Sequence, residues 1–308
     1  MPEKGLFNGN FKGLGSGLNE GTYYGVNKGL YSNNSYNFQQ ETMAWYNQLT
    51  LPKPSMTYLL SVDYLIKQFK STGIWPFLDR FWIFATEQQA HARVSIVNPK
   101  GINSTWPSNI TEQSSPSWAR LRGYTGNGSS SYLLSNYNPS TSDAVSYKLN
   151  SGSLGVYLIG TESDIYATPM GGYIGTSPSN YIRLCTPVWS PGLGKYYYAW
   201  NINDSTQSSL VLSTSQSPVT GLFSATRINS STTALYRNGN LITTYSANSS
   251  SIPNLNIPIM AVNDNGTFTA FSSNTYAMAY ICSASSAAGA LLIYNIFQTF
   301  AMQSRFYV

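Results

Sequence analysis

The sequence predicts a mainly β protein: a β-sandwich with one helix before it and one at its C-terminus, carried behind an extended N-terminal arm. Three observations predict this. Beyond residue 140 the chain runs as short β-prone segments at regular spacing, separated by Gly, Pro, Asn and Ser. Segments 56–72 and 287–300 instead place apolar residues at helical spacing. Residues 5–32 carry a glycine at every fourth position. The expected organisation is an arm over 1–32, a joint over 33–55, and a helix plus sandwich over 56–308.

The arm reads GLFN GNFK GLGS GLNE GTYY GVNK GLYS, with Gly5, Gly9, Gly13, Gly17, Gly21, Gly25 and Gly29 in register and Leu6, Leu14, Leu18, Val26 and Leu30 following them. Each glycine costs a helix about 0.8–1 kcal/mol relative to alanine, so a helix is disfavoured. The segment holds too few side chains to bury against itself and orders only against another surface, which suits an anchoring arm. In the joint, Trp45 and Leu49 are docking residues, and Pro52 and Pro54 stiffen the approach.

Over 56–72, Leu59, Val62, Leu65, Ile66 and Phe69 share one helical face, Ser55 is the N-cap and Gly73 the stop. The aromatic and β-branched run 74–85 follows as a buried strand, covered in part by that helix. At 122–140, Gly123, Gly126 and Gly128 supply turn conformations around Tyr124 and Asn127, and strand character returns at 131–134 before Asn138-Pro139 breaks it. Strands are expected at 144–149, 154–159, 181–184, 195–201 and 221–228. A hairpin turns at Asn238-Gly239 with Leu235 set against Ile242, and a second turn spans 263–266. The final helix brings Leu291, Leu292, Ile296, Phe297 and Phe300 to the sheets.

Four segments in this order, RGYTGNGSSSYLLSNYNPS (122–140), VYLIGTE (156–162), ALYRNGNLITTYS (234–246) and AMAYICSASSAAGALLIYNIFQTFAMQSR (277–305), resemble the concanavalin A-like lectin/glucanase superfamily. More narrowly they resemble a LamG-like jelly-roll module found among phage virion proteins of head- or tail-fibre type. The resemblance implies a concanavalin A-like jelly roll and a non-enzymatic structural role in the virion. In that role the arm docks on other virion proteins (capsid, portal-proximal or tail proteins), and the jelly roll is displayed as a fibre or decoration, as a homo-oligomer. The alternative is a lectin-like module that binds a host-surface glycan. A glycoside hydrolase is a second alternative.

Composition narrows the chemistry. Only 9% of the 308 residues are charged while 14% are aromatic, including 24 Tyr, so the polar surface is mostly amide and hydroxyl. The net charge of +5 comes from 17 scattered Lys and Arg, with Arg120 and Arg122 the nearest approach to a patch, which excludes a phosphate-tracking groove and hence a nucleic-acid partner. The N-terminus lacks an apolar signal core and no run is long enough for a membrane span, so a soluble chain made in the host cytoplasm is expected. Cys185 and Cys282 suit buried thiols, and Asn-x-Ser/Thr triplets such as that at Asn103 are expected by chance in so Ser/Asn-rich a chain.

A retaining glucanase needs two carboxylates about 5–5.5 Å apart. Glu162-Ser163-Asp164 is the one candidate, and where the superfamily's pattern would require a further Glu the chain has Tyr166 and Ala167. His91 is the sole histidine, and no nucleophile or orienting acid stands in frame with it. Asp264, with Asn263 and Asn265, is explained by its turn, so no metal and no cofactor are expected. For glycan binding, Tyr196, Tyr197, Tyr198 and Trp200 form an aromatic run, and Tyr196, Tyr198 and Trp200 are the expected platform.

Overall fold

The computed structural model describes residues 36–97, 109–141, 144–160, 168–175, 180–190, 195–205, 209–213 and 220–306. The arm residues Gly5 to Leu30 lie outside the described residues. One compact unit runs from Gln39 to the C-terminus. It therefore starts well before Met56: the expected joint contains helix α1 (Gln40–Gln48), in which Thr42 and Trp45 are buried. Asp63 holds this helix, accepting from Gln39 N and Thr42 Oγ1, each at 2.7 Å. Leu49 is buried as expected.

Helix α2 (Met56–Ser71) begins where Ser55 Oγ accepts from Tyr58 N at 3.2 Å. It ends with Gly73 N donating to Lys70 O and Ile74 N to Phe69 O, which satisfies carbonyls of the last turn. Leu59, Val62, Leu65, Ile66 and Phe69 are all buried, each worth about 1.5–3 kcal/mol against exposure. The following run starts as a short 3₁₀ turn at Trp75–Phe77, with Pro76 inside it, before becoming strand β1 (Leu78–Ile83). A one-turn helix, α3 (Gln89–Ala92), follows.

The remaining strands build a jelly-roll-like sandwich of two sheets. Among the described residues the first sheet runs β13 (Asn240–Ser246), β12 (Thr232–Arg237), β11 (Gly221–Arg227), β6 (Gly152–Ile159), β17 (Thr275–Cys282), β4 (Gly123–Thr125), β3 (Ser117–Ala119). Strand β1 pairs with the far half of β17, beside β4. The second sheet runs β10 (Ser209–Ser213), β9 (Lys195–Asp204), β8 (Asn180–Ser190), β7 (Met170–Ile174), β14 (Pro258–Ile259), β5 (Tyr132–Leu134), β2 (Thr111–Gln113). Strand β15 (Val262–Asp264) lies parallel to β7 and carries β16 (Thr267–Thr269) as a hairpin.

Between the sheets sit Trp82, Tyr124, Leu154, Val156, Leu158, Ile182, Leu184, Trp200, Phe223 and Ile281. Outside the first sheet lies a third layer, formed by α2 and α4 (Ala287–Gln303), which meet through Tyr58 and Phe300 with ring centroids 5.8 Å apart. Phe69 packs on Phe81 at 5.1 Å and Phe297 on Tyr157 at 5.0 Å. Strands β1 and β17 are thus buried on both faces, which is why they read as continuous apolar runs rather than alternating ones. Helix α4 turns Ala290, Ile293, Phe297 and Phe300 inward but leaves Leu291 and Leu292 exposed, against expectation, because they fall one position off that stripe.

Two further expectations change. Residues 144–149 form no strand beyond an isolated bridge from Lys148 to Ser151, because the Asp79 carboxylate takes Ser146 N at 2.7 Å and Tyr147 N at 2.9 Å. The hairpin turns at Asn238 and Gly239, with φ of 51° and 77°, but Leu235 pairs with Thr243 rather than Ile242. The cause is a bulge, which shifts the register after Tyr236↔Leu241. In the glycine-rich stretch, Asn127 Oδ1 accepts from the backbone N of Ser129, Ser130 and Ser131 and so fixes the turn before β5.

Candidate ligand-binding face

The helical layer covers the central strands β1, β6 and β17 of the first sheet, and the outer face of the second sheet is the place to look for a site. Residues in β7, β8 and β9 alternate across that sheet. Met170, Ile182, Leu184, Trp200 and Ile202 point into the sandwich. Their neighbours Tyr173, Tyr181, Arg183 and Asn201 therefore point the other way. The first three are partly exposed while Asn201 is buried.

Tyr173 and Tyr181 are direct cross-strand partners, and their rings stack with centroids 5.2 Å apart and planes inclined by 17°. The parallel pairing of β15 on β7 sets Asp264 opposite Tyr173, and the Tyr173 hydroxyl donates to Asp264 Oδ2 at 2.5 Å. That bond, with a smaller contribution from burial, pushes the Tyr173 phenol up to about 12. The phenol thus stays a neutral, fixed donor through the physiological range.

Arg183 lies one step along the same face, registered against Gly171 on one side and Asn201 on the other. A Cβ at Gly171 would stand 2.7 Å from Arg183 Cα and 2.5 Å from Ile182 O, so only glycine lets β7 approach this closely. Arg183 Nη2 donates to Asn201 Oδ1 across 3.4 Å, and its buried Nε has no hydrogen-bond partner among the described residues. Asn201 is itself held: its Nδ2 donates to Asp204 Oδ1 at 2.7 Å, and Asp204 forms a fully buried ion pair with Arg227 at 3.2 Å. Arg227 also donates to the carbonyls of Ile202 and Ala247, which ties this corner of the sandwich together.

The expected platform is placed elsewhere. Tyr198 and Trp200 are 8% and 1% exposed and belong to the core, with Trp200 Nε1 donating to Thr233 Oγ1 at 3.1 Å. Alternation on β9 turns both inward, away from the outer face of the sheet; Tyr196's side chain, Glu162 and Asp164 lie outside what is described. The sequence signals of the Tyr173–Tyr181 face are modest: Tyr-Ile-Arg at 181–183 and Gly-Gly-Tyr at 171–173, each with one apolar or small residue between outward positions.

Other ionisable groups serve the fold. Glu112, missed in the sequence, accepts from Arg93 Nε at 2.7 Å, from Gln89 Nε2 at 3.0 Å and from the Tyr124 hydroxyl. Burial raises its carboxyl, but these donors outweigh that and hold it below the usual carboxylate range, which makes it a poor proton donor. His91 is buried, with its Nε2 3.2 Å from Thr50 O, and desolvation keeps it below its ordinary value of 6.5. No cluster of His, Cys, Asp and Glu suited to a metal occurs among the described residues, and no described helix is long and apolar enough to cross a membrane.

No family model matches the sequence, and no curated protein matches it. Among solved structures, the chain is similar to a mutant Trypanosoma rangeli sialidase displaying trans-sialidase activity (8% identity, TM-score 0.48), over 79% of this chain and 39% of that one. It is also similar to domain 4 of AbnA, an extracellular arabinanase from Geobacillus stearothermophilus, in complex with arabinotriose (13% identity, TM-score 0.44, 70% of this chain and 98% of that one). A third is the CBM40 of a Ruminococcus gnavus sialidase bound to α2,3-sialyllactose (12% identity, TM-score 0.38, 60% and 97%). The chain thus spans well under half the length of the first of these.

Proposed function

We propose that this chain is a non-catalytic, lectin-like module that binds a glycan on the outer face of its second sheet. The observation that carries the reading is the stacked, partly exposed Tyr173–Tyr181 pair, locked by Asp264 and flanked by Arg183. Sugar rings present axial C–H groups to aromatic faces and hydroxyls to amide, carboxylate and guanidinium groups. A rigid aromatic pair beside such groups offers both at little entropic cost. A glycan array with the full-length chain, followed by calorimetry on the strongest hit, tests it. Tyr181→Ala should weaken binding about ten-fold, equivalent to about 1.4 kcal/mol. Unchanged affinity in a folded variant would move the site off this face.

The four-residue glycine period favours a second role beside the first: residues 1–32 as an arm fixing the module to a larger assembly, in this reading a phage particle, with the jelly roll displayed outward. A chain beginning at Asn33 should fold and retain the module's binding but fail to join particles. Normal incorporation of that chain would remove the anchoring role.

A further inference from the structure

Resting on the glycan-binding reading, we infer that the sugar recognised by the Tyr173–Tyr181 face carries an anionic oxygen group, a carboxylate or a sulfate, and that Arg183 receives it. Arginine offers five N–H donors in a planar fork matched to such groups. At Arg183 only one of them is engaged within the described residues, across a long 3.4 Å to Asn201, and the residue takes part in none of the described ion pairs.

Among the described residues the surroundings leave that charge uncompensated. The group beside it on β9 is an amide, Asn201, rather than a carboxylate, and the carboxylate behind the amide, Asp204, is already matched by buried Arg227. A second described carboxylate of the face, Asp264 on β15, is engaged by the hydroxyl of Tyr173 on β7. The strand that carries the fork is fixed in place. It is paired on both sides, and the bare backbone of Gly171 packs against Arg183 Cα. A guanidinium next to an aromatic pair, on a fixed strand and in no ion pair among the described residues, selects a ring that brings its own negative charge, since charge-assisted bonds to it are about twice as strong as neutral ones.

The experiment is calorimetric titration of the whole chain with three oligosaccharides of matched length: an oligogalacturonate, a sulfated dextran oligomer and a neutral malto-oligosaccharide. Each is run at low and at physiological salt, because a cationic protein attracts polyanions without specificity. The inference expects at least one acidic ligand to bind ten-fold or more tighter than the neutral one at physiological salt. Arg183→Gln should erase the preference, Arg183→Lys should keep part of it, and Tyr181→Ala should weaken both kinds of ligand. Which acidic ligand wins separates carboxylate from sulfate. Equal binding of neutral and acidic sugars, or an acidic preference that survives Arg183→Gln, overturns the inference while leaving glycan binding intact. If none of the three binds and the glycan array is also blank, the glycan-binding reading fails, and the inference with it.

Discussion

The hairpin at Asn238-Gly239 does more than reverse the chain, and substituting Gly239 measures the second task. Gly239 has φ of +77°, where a side chain costs an L-residue roughly 1–2 kcal/mol. A Cβ there would also stand 2.4 Å from Leu291 Cα and 2.9 Å from Leu291 Cβ. The first is main chain inside α4, which cannot swing aside as a side-chain tip could. Moving a packed helix costs about 1–3 kcal/mol more. Gly239→Ala should therefore lose on the order of 3 kcal/mol, read as a shift of the urea midpoint at unchanged slope. Gly239→Asn separates the two causes, because asparagine tolerates the left-handed region but still carries a Cβ. It should lose the 1–3 kcal/mol of the helix contact alone. A harmless asparagine beside a costly alanine would refute the seating of α4 on this turn, and two harmless variants would refute the whole argument.

Other consequences are equally direct. Asp204→Asn leaves Arg227 charged and buried without its partner and should cost about 3–5 kcal/mol in chemical denaturation, with Arg227→Met restoring much of it in the double variant; a loss below about 1 kcal/mol would contradict the pairing. Burial pushes the Cys282 thiol up to about 12, so iodoacetamide followed by peptide mapping should leave Cys282 unmodified at pH 8 until denaturant is added. Burial lowers His91 below 6.5, so the unfolded chain takes up a proton that the fold resists. Stability should then be full above about pH 6.5 and fall as pH drops through the interval down to the folded value, a slope that His91→Gln should flatten. An NMR midpoint for His91 at or above 6.5 would contradict this.

What was legible in the sequence was what short-range chemistry decides. Helix α2 announces itself through Ser55, Gly73 and a five-residue apolar face, and the Asn238-Gly239 turn through residues that accept positive φ. Helix α1 was not legible because it buries only Thr42 and Trp45, and its anchor, Asp63, sits on the next helix. The missing strand at 144–149 has the same kind of cause, since Asp79, 67 residues earlier, captures the amide of Ser146. The inward turn of Tyr198 and Trp200 was hidden for another reason. Alternation shows that half of Tyr196 to Trp200 faces inward but not which half, and the choice was settled by the pairing of β9 with β8. The Tyr173–Asp264 bond spans 91 residues and depends on a parallel pairing that no local pattern announces.

The location of the face follows from how the three layers divide the apolar sequence. Strands β1, β6 and β17 spend both faces on packing: Trp82, Val156 and Ile281 against the second sheet, and Phe81, Tyr157 and Tyr280 toward the helices. Nothing on those strands remains to meet a ligand. The described core residues of the second sheet lie on one side of it, so partly exposed outward positions such as Tyr173, Tyr181 and Arg183 can be aromatic or charged without loss of packing. A half-exposed tyrosine still adds burial, and Tyr173 gains a hydroxyl partner besides. Among the described residues Arg183 gains neither an ion pair nor, at Nε, a hydrogen bond, although a partnered or apolar residue at that point would stabilise the sheet more. An under-satisfied guanidinium on a doubly paired strand runs against stability, and the acidic ligand proposed above would offset that cost by completing its bonding.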